Sequence, residues 1–295
     1  PWLLAMTDTT TTGIMTTTGH LEDPPQPDRS TTSLEATIPE ILTYDFMQRA
    51  LLAAFLVGIA APMVGVFLVQ RRLSLIGDGM GHVALAGVAV GVITNRAPVL
   101  TALVFAVLAA VGIELVRARG RTSGDVALAV MFYGGIALGV VVFGMSQSGA
   151  PSNLDSYLFG AITTTSPTDL VEFAVLAVVV VAVTWALRPR LFAVANDEEY
   201  ARATGMRVTA LNITLAVLTA VTVVVAMRVV GLLLISALMI VPNAAAQLIA
   251  GSFRSAIRIA VIIGAVCGVG GVTTSFYADA PSGGTIVLLA IALFL

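Results

Sequence analysis

Residues 47–94 read MQRALLAAFLVGIAAPMVGVFLVQRRLSLIGDGMGHVALAGVAVGVIT. Two apolar runs, 47–69 and 74–94, lie on either side of Arg71 and Arg72. A helix of about 20 residues is long enough to cross the hydrocarbon core of a bilayer, which is roughly 30 Å thick. This stretch therefore predicts two membrane-spanning helices joined by a short basic turn.

The same pattern of apolar runs and short polar breaks continues to the end of the chain. Of the 295 residues, 58% are hydrophobic and only 11% are charged, whereas soluble domains carry about 25% charged residues. A soluble fold is excluded, and we expect an all-α, polytopic transmembrane helical bundle of about 8–9 spans. The further predicted spans are 98–116, 126–145, 170–187, 209–227, 231–250, 257–275 and 284–295.

Residues 1–43 differ from the rest of the chain. They contain clusters of threonine, a proline-rich stretch around Pro24–Pro27, and no helical or strand periodicity. Such a composition is typical of disorder. We therefore expect a disordered tail over 1–43 and a transmembrane domain over 44–295.

The arginines predict the orientation of the chain, because basic loops stay on the cytoplasmic side of a membrane. Eleven of the 15 arginines fall in alternate loops, and four fall on the other side. This asymmetry predicts an N-terminus outside the cell. The eleven are Arg71, Arg72, Arg117, Arg119, Arg121, Arg188, Arg190, Arg202, Arg207, Arg254 and Arg258.

Two whole-chain properties exclude other functions. All 15 basic residues are arginine, so the chain has no lysine for the phosphate-binding loop of an ATPase. A net charge of −2 gives no sign of nucleic-acid binding. Any ATP that drives this protein would therefore be bound by a partner, and we expect no ATPase activity of the chain itself.

Asp78 and His82 are the candidate functional pair. They are four residues apart in the second predicted span, so a helix places both on one face. A carboxylate and an imidazole together offer charge and a coordinate bond to a divalent cation that has lost its water. The alternative is a structural Asp–His hydrogen bond that ties helices together. Glycines around the pair would let neighbouring helices approach closely: Gly77, Gly79, Gly81, Gly87 and Gly91.

Glu114 has a simpler interpretation. It precedes Arg117 by three residues at the end of a predicted span, where a local ion pair with an arginine is common. We expect that pair. His20, the other histidine, lies in the tail and is expected to be solvated.

Residues 196–205 predict a short amphipathic helix. The stretch has Asp197 at its start, Glu198 and Glu199 in the first turn, and Gly205 as a stop. Either a solvated connector or a docking element for a cytoplasmic partner fits this pattern.

The chain resembles the permease subunits of zinc/manganese-type bacterial ABC importers. Five stretches carry the resemblance, in the family's order: Gly65–His82, Leu154–Gly160, Asp197–Gly205, Gly231–Pro242 and Tyr277–Leu288. The likeness covers nearly all of residues 46–295 and none of the tail.

The resemblance implies a function in the inner membrane of a bacterium. It implies metal contacts by Asp78 and His82, and coupling to an ATPase through Asp197, Glu198, Glu199, Ala201 and Gly205. It also implies a second permease copy, an ATP-binding ABC subunit and an external metal-binding protein as partners, within membrane lipid. The cargo would be Zn²⁺ or Mn²⁺, received outside and moved inward by alternating access, with no permanently bound cofactor.

Two alternatives remain at this point. A permease for iron-siderophore or cobalamin-type cargo has a similar plan but needs no Asp–His pair in its path. An intramembrane protease is disfavoured, because Asp78 lacks a second suitably placed aspartate and no G-x-S-x-G or H-E-x-x-H motif is present.

Overall fold

The computed structural model describes residues 44–119, 124–145, 154–160, 166–232 and 234–295. Every regular element in these ranges is a helix, as the composition predicts. The tail predicted over 1–43 lies outside the described residues. The helices are α1 (Asp45–Gln70), α2 (Ile76–Ile93), α3 (Pro98–Ala118), α4 (Gly124–Gly144), α5 (Leu154–Phe159), α6 (Pro167–Asn196), α7 (Glu198–Ala203), α8 (Val208–Val230), α9 (Ile235–Ile249), α10 (Phe253–Ala278) and α11 (Ser282–Phe294).

Seven of these helices are long and apolar enough to cross a membrane: α1, α2, α3, α4, α6, α8 and α10. α9 and α11 are apolar but shorter. Together these nine helices account for all nine predicted spans, and the all-α transmembrane bundle is confirmed.

Two boundaries differ from the predictions. α6 was expected to end before Arg188, yet it continues through Pro189 to Asn196, because Leu191 and Val194 in its last turns are buried. α9 begins only at Ile235 rather than at residue 231. Gly231 has φ +90°, a conformation that glycine adopts readily and that ends α8.

α1, α2 and α8 form the interior of the bundle. In each, 67% of the most apolar window is buried, against 22–28% for α3, α4 and α6. α1 packs tightly on α10, where a Cβ on Gly58 would lie only 2.6 Å from the carbonyl oxygen of Gly264. Glycine at this crossing lets the two backbones touch. The interior therefore packs by close helix contact, and the outer helices present apolar surface outward.

The loops separate into two groups at opposite ends of α8, which is about 34 Å long at 1.5 Å per residue. At its start, α7 meets the α1–α2 turn through an ion pair between Glu198 and Arg71. At its other end, Gly231 packs on Gly160 and its neighbours. Tyr44, before α1, contacts Phe276 near the end of α10. Arg71, Arg202 and Arg207, three of the arginines that the sequence placed on one side, thus lie at the α7 end.

Candidate functional site

Asp78 and His82 occupy the first two turns of α2. Both side chains are only partly buried. Ser236, near the start of α9, donates a hydrogen bond from Oγ to Asp78 Oδ1 over 2.5 Å. The Asp78 carboxylate accepts no other hydrogen bond from the described residues. One carboxylate oxygen is therefore held in place while the other has no protein donor in the described part of the chain.

The imidazole of His82 packs against α4. Its ring lies edge-to-face on Phe132, with centroids 4.5 Å apart and an interplanar angle of 75°. An aromatic edge contact fixes the plane of a ring without using its nitrogens. Among the described residues, neither ring nitrogen of His82 has a hydrogen-bond partner. The ring is oriented, and its nitrogens remain available to a ligand.

Glycines bring two neighbouring helices, α4 and α9, close to the pair, in line with the close approach that the sequence predicted. A Cβ on Gly81 would lie 2.8 Å from Leu232 Cδ2, and one on Gly77 would lie 3.2 Å from Ser236 Cβ. On the α4 side, a Cβ on Gly135 would lie 2.8 Å from the backbone nitrogen of Val83. Larger side chains at these positions would push α4 and α9 away from Asp78 and His82.

The structure places no third strong ligand beside the pair among the residues that it describes. Within the described ranges, no group of three or more His, Cys, Asp or Glu side chains could hold a metal ion. Zn²⁺ takes about four ligands, and hard divalent cations take about six. Two donors from one chain would therefore supply half of a four-ligand set or a third of a six-ligand set.

α7 has the local signals that the sequence predicted. Asp197 caps it, accepting a hydrogen bond from the backbone of Tyr200 over 2.8 Å, and Gly205 follows it with φ +82°. Ala201 is fully buried, so it anchors the helix. Glu199 and Tyr200 are exposed. α7 thus has an anchored face and an open face.

Glu198 links α7 to the turn before α2. Its carboxylate binds Arg71 and Arg202, each over 3.0 Å. The Arg71 side chain is only 7% exposed. Burial lowers the pKa of the Arg71 guanidinium, and the nearby Glu114 carboxylate opposes that shift.

Arg71, like Ser236, makes a contact at this site that the sequence did not reveal. The sequence placed it in a basic turn, and its partner lies 127 residues away. Arg71 stands seven positions before Asp78, so it joins α7 to the segment that leads into the metal candidate. The local pair between Glu114 and Arg117, which the sequence predicted, is present at 2.5 Å.

The opposite end of α8 is held by backbone contacts and one ion pair. Leu232 donates from its backbone nitrogen to the carbonyl of Tyr157 over 2.9 Å, and Ser282 Oγ donates to the carbonyl of Val229 over 3.4 Å. Asp169 forms an ion pair with Arg228. Three of the stretches that carry the family resemblance, in α5, before α9 and in α11, therefore meet here.

Comparison with known proteins identifies the fold and the family. Residues 43–295 match the model of the ABC 3 transport family. The manganese transport system membrane protein MntC of Halalkalibacterium halodurans is 32% identical over 86% of this chain and 87% of its own. A probable iron transport system membrane protein of Haemophilus influenzae is 29% identical over 86% and 93%. The solved structure of PsaBC from Streptococcus pneumoniae in complex with Fab has a TM-score of 0.76 at 32% identity, over 86% and 93%.

Proposed function

This chain belongs to the ABC 3 transport family, and on that premise we propose that two copies of it form the path by which a bacterial ABC importer moves Mn²⁺ inward. It is a multi-pass membrane protein and the permease subunit of a metal transporter. The observation that carries the proposal is the pair on α2, with Asp78 held by Ser236 and His82 one helical turn along. Manganese is the cargo named for MntC, and Zn²⁺ is the alternative cargo.

The metal site needs two chains. Asp78 and His82 supply one carboxylate and one imidazole, and a second copy supplies the same pair, which completes a set of four. The outward surface of α4 supports this arrangement. α4 carries Phe132 against His82, yet its other side leaves apolar residues such as Val130 and Tyr133 more than two-thirds exposed.

Transport requires the site to bind and then release the ion. Carboxylate and imidazole ligands suit both Mn²⁺ and Zn²⁺, and a site made between two chains loses half its ligands when the chains move apart. An external metal-binding protein delivers the ion, and the two copies alternate between outward and inward openings.

ATP acts on this site through α7. A cytoplasmic ATP-binding subunit docks on the open face of α7, around Glu199 and Gly205. The ion pair of Glu198 with the buried Arg71 carries the movement to the turn before α2. The arginines at the α7 end support a cytoplasmic position for this end and an external N-terminus.

Metal uptake tests the proposal. In cells that depend on this transporter, Asp78→Ala and His82→Ala should each lower the initial rate of manganese uptake at least tenfold, since even loss of a group that only supports a metal ligand costs about 10–100-fold. Asp45→Ala and His20→Ala are matched controls, because they remove a carboxylate and an imidazole outside the α2 pair, and both should leave uptake unchanged. Wild-type rates in the double variant Asp78→Ala/His82→Ala would contradict the proposal. Faster uptake of zinc than of manganese would identify Zn²⁺ as the cargo and leave the proposed metal site unchanged.

A further inference from the structure

A pocket of about 380 Å³ lies between the last third of α6 and the first turn of α10. It is distant in sequence from α2, and neither the metal path nor α7 uses it. Its lining combines positive charge with aromatic surface. The residues that form it are Trp185, Arg188, Pro189, Phe192, Phe253 and Arg254.

The two arginines of the pocket have no counter-charge in the described part of the chain. Neither Arg188 nor Arg254 takes part in any of the four salt bridges found there. Arg254 also lies in the first turn of α10, where the positive end of the helix dipole disfavours a cation. Helix stability does not explain this arginine. A ligand in this pocket would therefore meet two positive charges that no described residue neutralises.

The apolar wall of the pocket faces outward. Trp185 is 74% exposed, and Phe192 packs on Phe253 with ring centroids 4.5 Å apart. Most of α6 is apolar and unburied within the chain. Tryptophan beside arginine at the end of a membrane span is typical of the boundary between hydrocarbon and headgroups. The occupant must therefore join an anionic group to an apolar one.

We propose that this pocket binds the headgroup of one anionic phospholipid. Its phosphate lies between Arg188 and Arg254, and its acyl chains follow α6 beyond Trp185. Basic pockets between membrane helices bind anionic headgroups in this way. A soluble phosphate would use the arginines alone and leave Trp185 without a partner.

Native mass spectrometry of the purified full chain tests the site. The protein is titrated with phosphatidylglycerol and, separately, with phosphatidylcholine. Wild-type protein should bind one phosphatidylglycerol at least tenfold more tightly than phosphatidylcholine. Arg188→Gln and Arg254→Gln should each weaken binding of phosphatidylglycerol about fivefold, because one arginine near an anionic membrane surface contributes about 1 kcal/mol to binding. Arg119→Gln removes a charge from another exposed arginine at a helix end, which lines no described pocket, and should bind as the wild type does.

Three further measurements separate the lipid from other occupants. Trp185→Ala leaves the charge of the pocket unchanged and should weaken binding of phosphatidylglycerol. Inorganic phosphate at millimolar concentration should not displace the bound lipid. Circular dichroism should show that all variants keep the wild-type helix content and melting temperature. Equal binding of the two lipids, displacement by phosphate, or full binding by folded Arg188→Gln/Arg254→Gln would each overturn the proposal. So would high-yield cross-linking of Trp185→Cys to a second copy in a Cys267→Ser background, since it would place protein over the pocket.

Discussion

Both ends of α8 have ion pairs, with Asp169 and Arg228 paired at the Gly231 end, but among the described residues only that end is also held by touching backbones. At the α7 end, charged side chains bridge separate segments, with Glu198 between Arg71 and Arg202. At the other end, Gly160, Gly231 and Gly283 bring the backbones of α5, α8 and α11 into direct contact. Asp78 hydrogen-bonds to Ser236, five residues beyond Gly231, and it lies seven residues after Arg71. The metal candidate is thus connected to both ends.

This difference leads to a prediction about which end of α8 moves during transport. An ion pair between long side chains can break and form again as helices shift, and the exposed pair of Glu198 with Arg202 contributes only about 0.2–1 kcal/mol. Backbones that touch at glycines fit together in one way, because packed interiors do not deform continuously. We therefore expect the glycine end to stay fixed while the α7 end transmits the work of ATP.

The largest expected effect comes from adding a methyl group at the fixed end. Gly231 and Gly205 both have positive φ, at +90° and +82°, so alanine is strained at either position, at a cost of about 1–3 kcal/mol. A Cβ at Gly231 would also lie 2.5 Å from the carbonyl carbon of Phe159, whereas Gly205 has nothing within 4 Å. Gly231→Ala should cost about 4 kcal/mol of stability in all, which thermal unfolding in detergent measures. Equal melting temperatures for Gly231→Ala and Gly205→Ala would show that the glycine end is not tightly packed.

A smaller effect is expected from breaking the mobile end. Arg71→Gln should lower metal-stimulated ATPase activity of the assembled transporter about tenfold, because α7 loses its link to the turn before α2. Arg72→Gln removes the same charge from an exposed neighbour and should have little effect. Metal binding by both variants should match the wild type.

A double-mutant cycle isolates the link itself. If the ion pair transmits the movement, Arg71→Gln/Glu198→Gln should be no worse than Arg71→Gln alone. Fully additive losses of ATPase stimulation would mean that the two residues act separately.

The smallest effect is expected where the fixed end meets the metal candidate. Ser236→Ala removes the one hydrogen bond that the described residues give Asp78, and it should weaken Mn²⁺ binding about fivefold, which corresponds to about 1 kcal/mol. Ser282→Ala removes another buried hydroxyl, one that bonds to Val229, and should leave affinity unchanged. Calorimetric titration of the purified chain with Mn²⁺ distinguishes the two variants. Equal affinities for both would argue that Ser236 does not position the carboxylate.

Much of this arrangement could be predicted because its signals are local. The cap at Asp197, the stop at Gly205 and the pair of Glu114 with Arg117 all depend on residues within a few positions of each other. The separation of Asp78 and His82 on one helix is local in the same sense. Each of these predictions needed only the geometry of a single helix.

The remainder depends on contacts between distant segments. Ser236 lies 158 residues from Asp78, and Glu198 lies 127 residues from Arg71, so no helical period relates them. The span over 170–187 was expected to end before Arg188, but α6 continues through Pro189, because burial of Leu191 and Val194 outweighs the lost backbone hydrogen bond. Tertiary packing determines these contacts and the end of α6, and the pattern of a single sequence does not predict that packing.

X-ray absorption of the zinc-loaded, purified chain tests the central claim most directly, namely that His82 and Asp78 hold the ion. The chain has only two histidines, His20 and His82, so an imidazole signal at the metal can be assigned by two substitutions. The account predicts imidazole scattering with Zn–N near 2.0–2.1 Å in the wild type and in His20→Ala, and its loss in His82→Ala. Unchanged imidazole scattering in His82→Ala, or its absence from the wild type, would contradict the account.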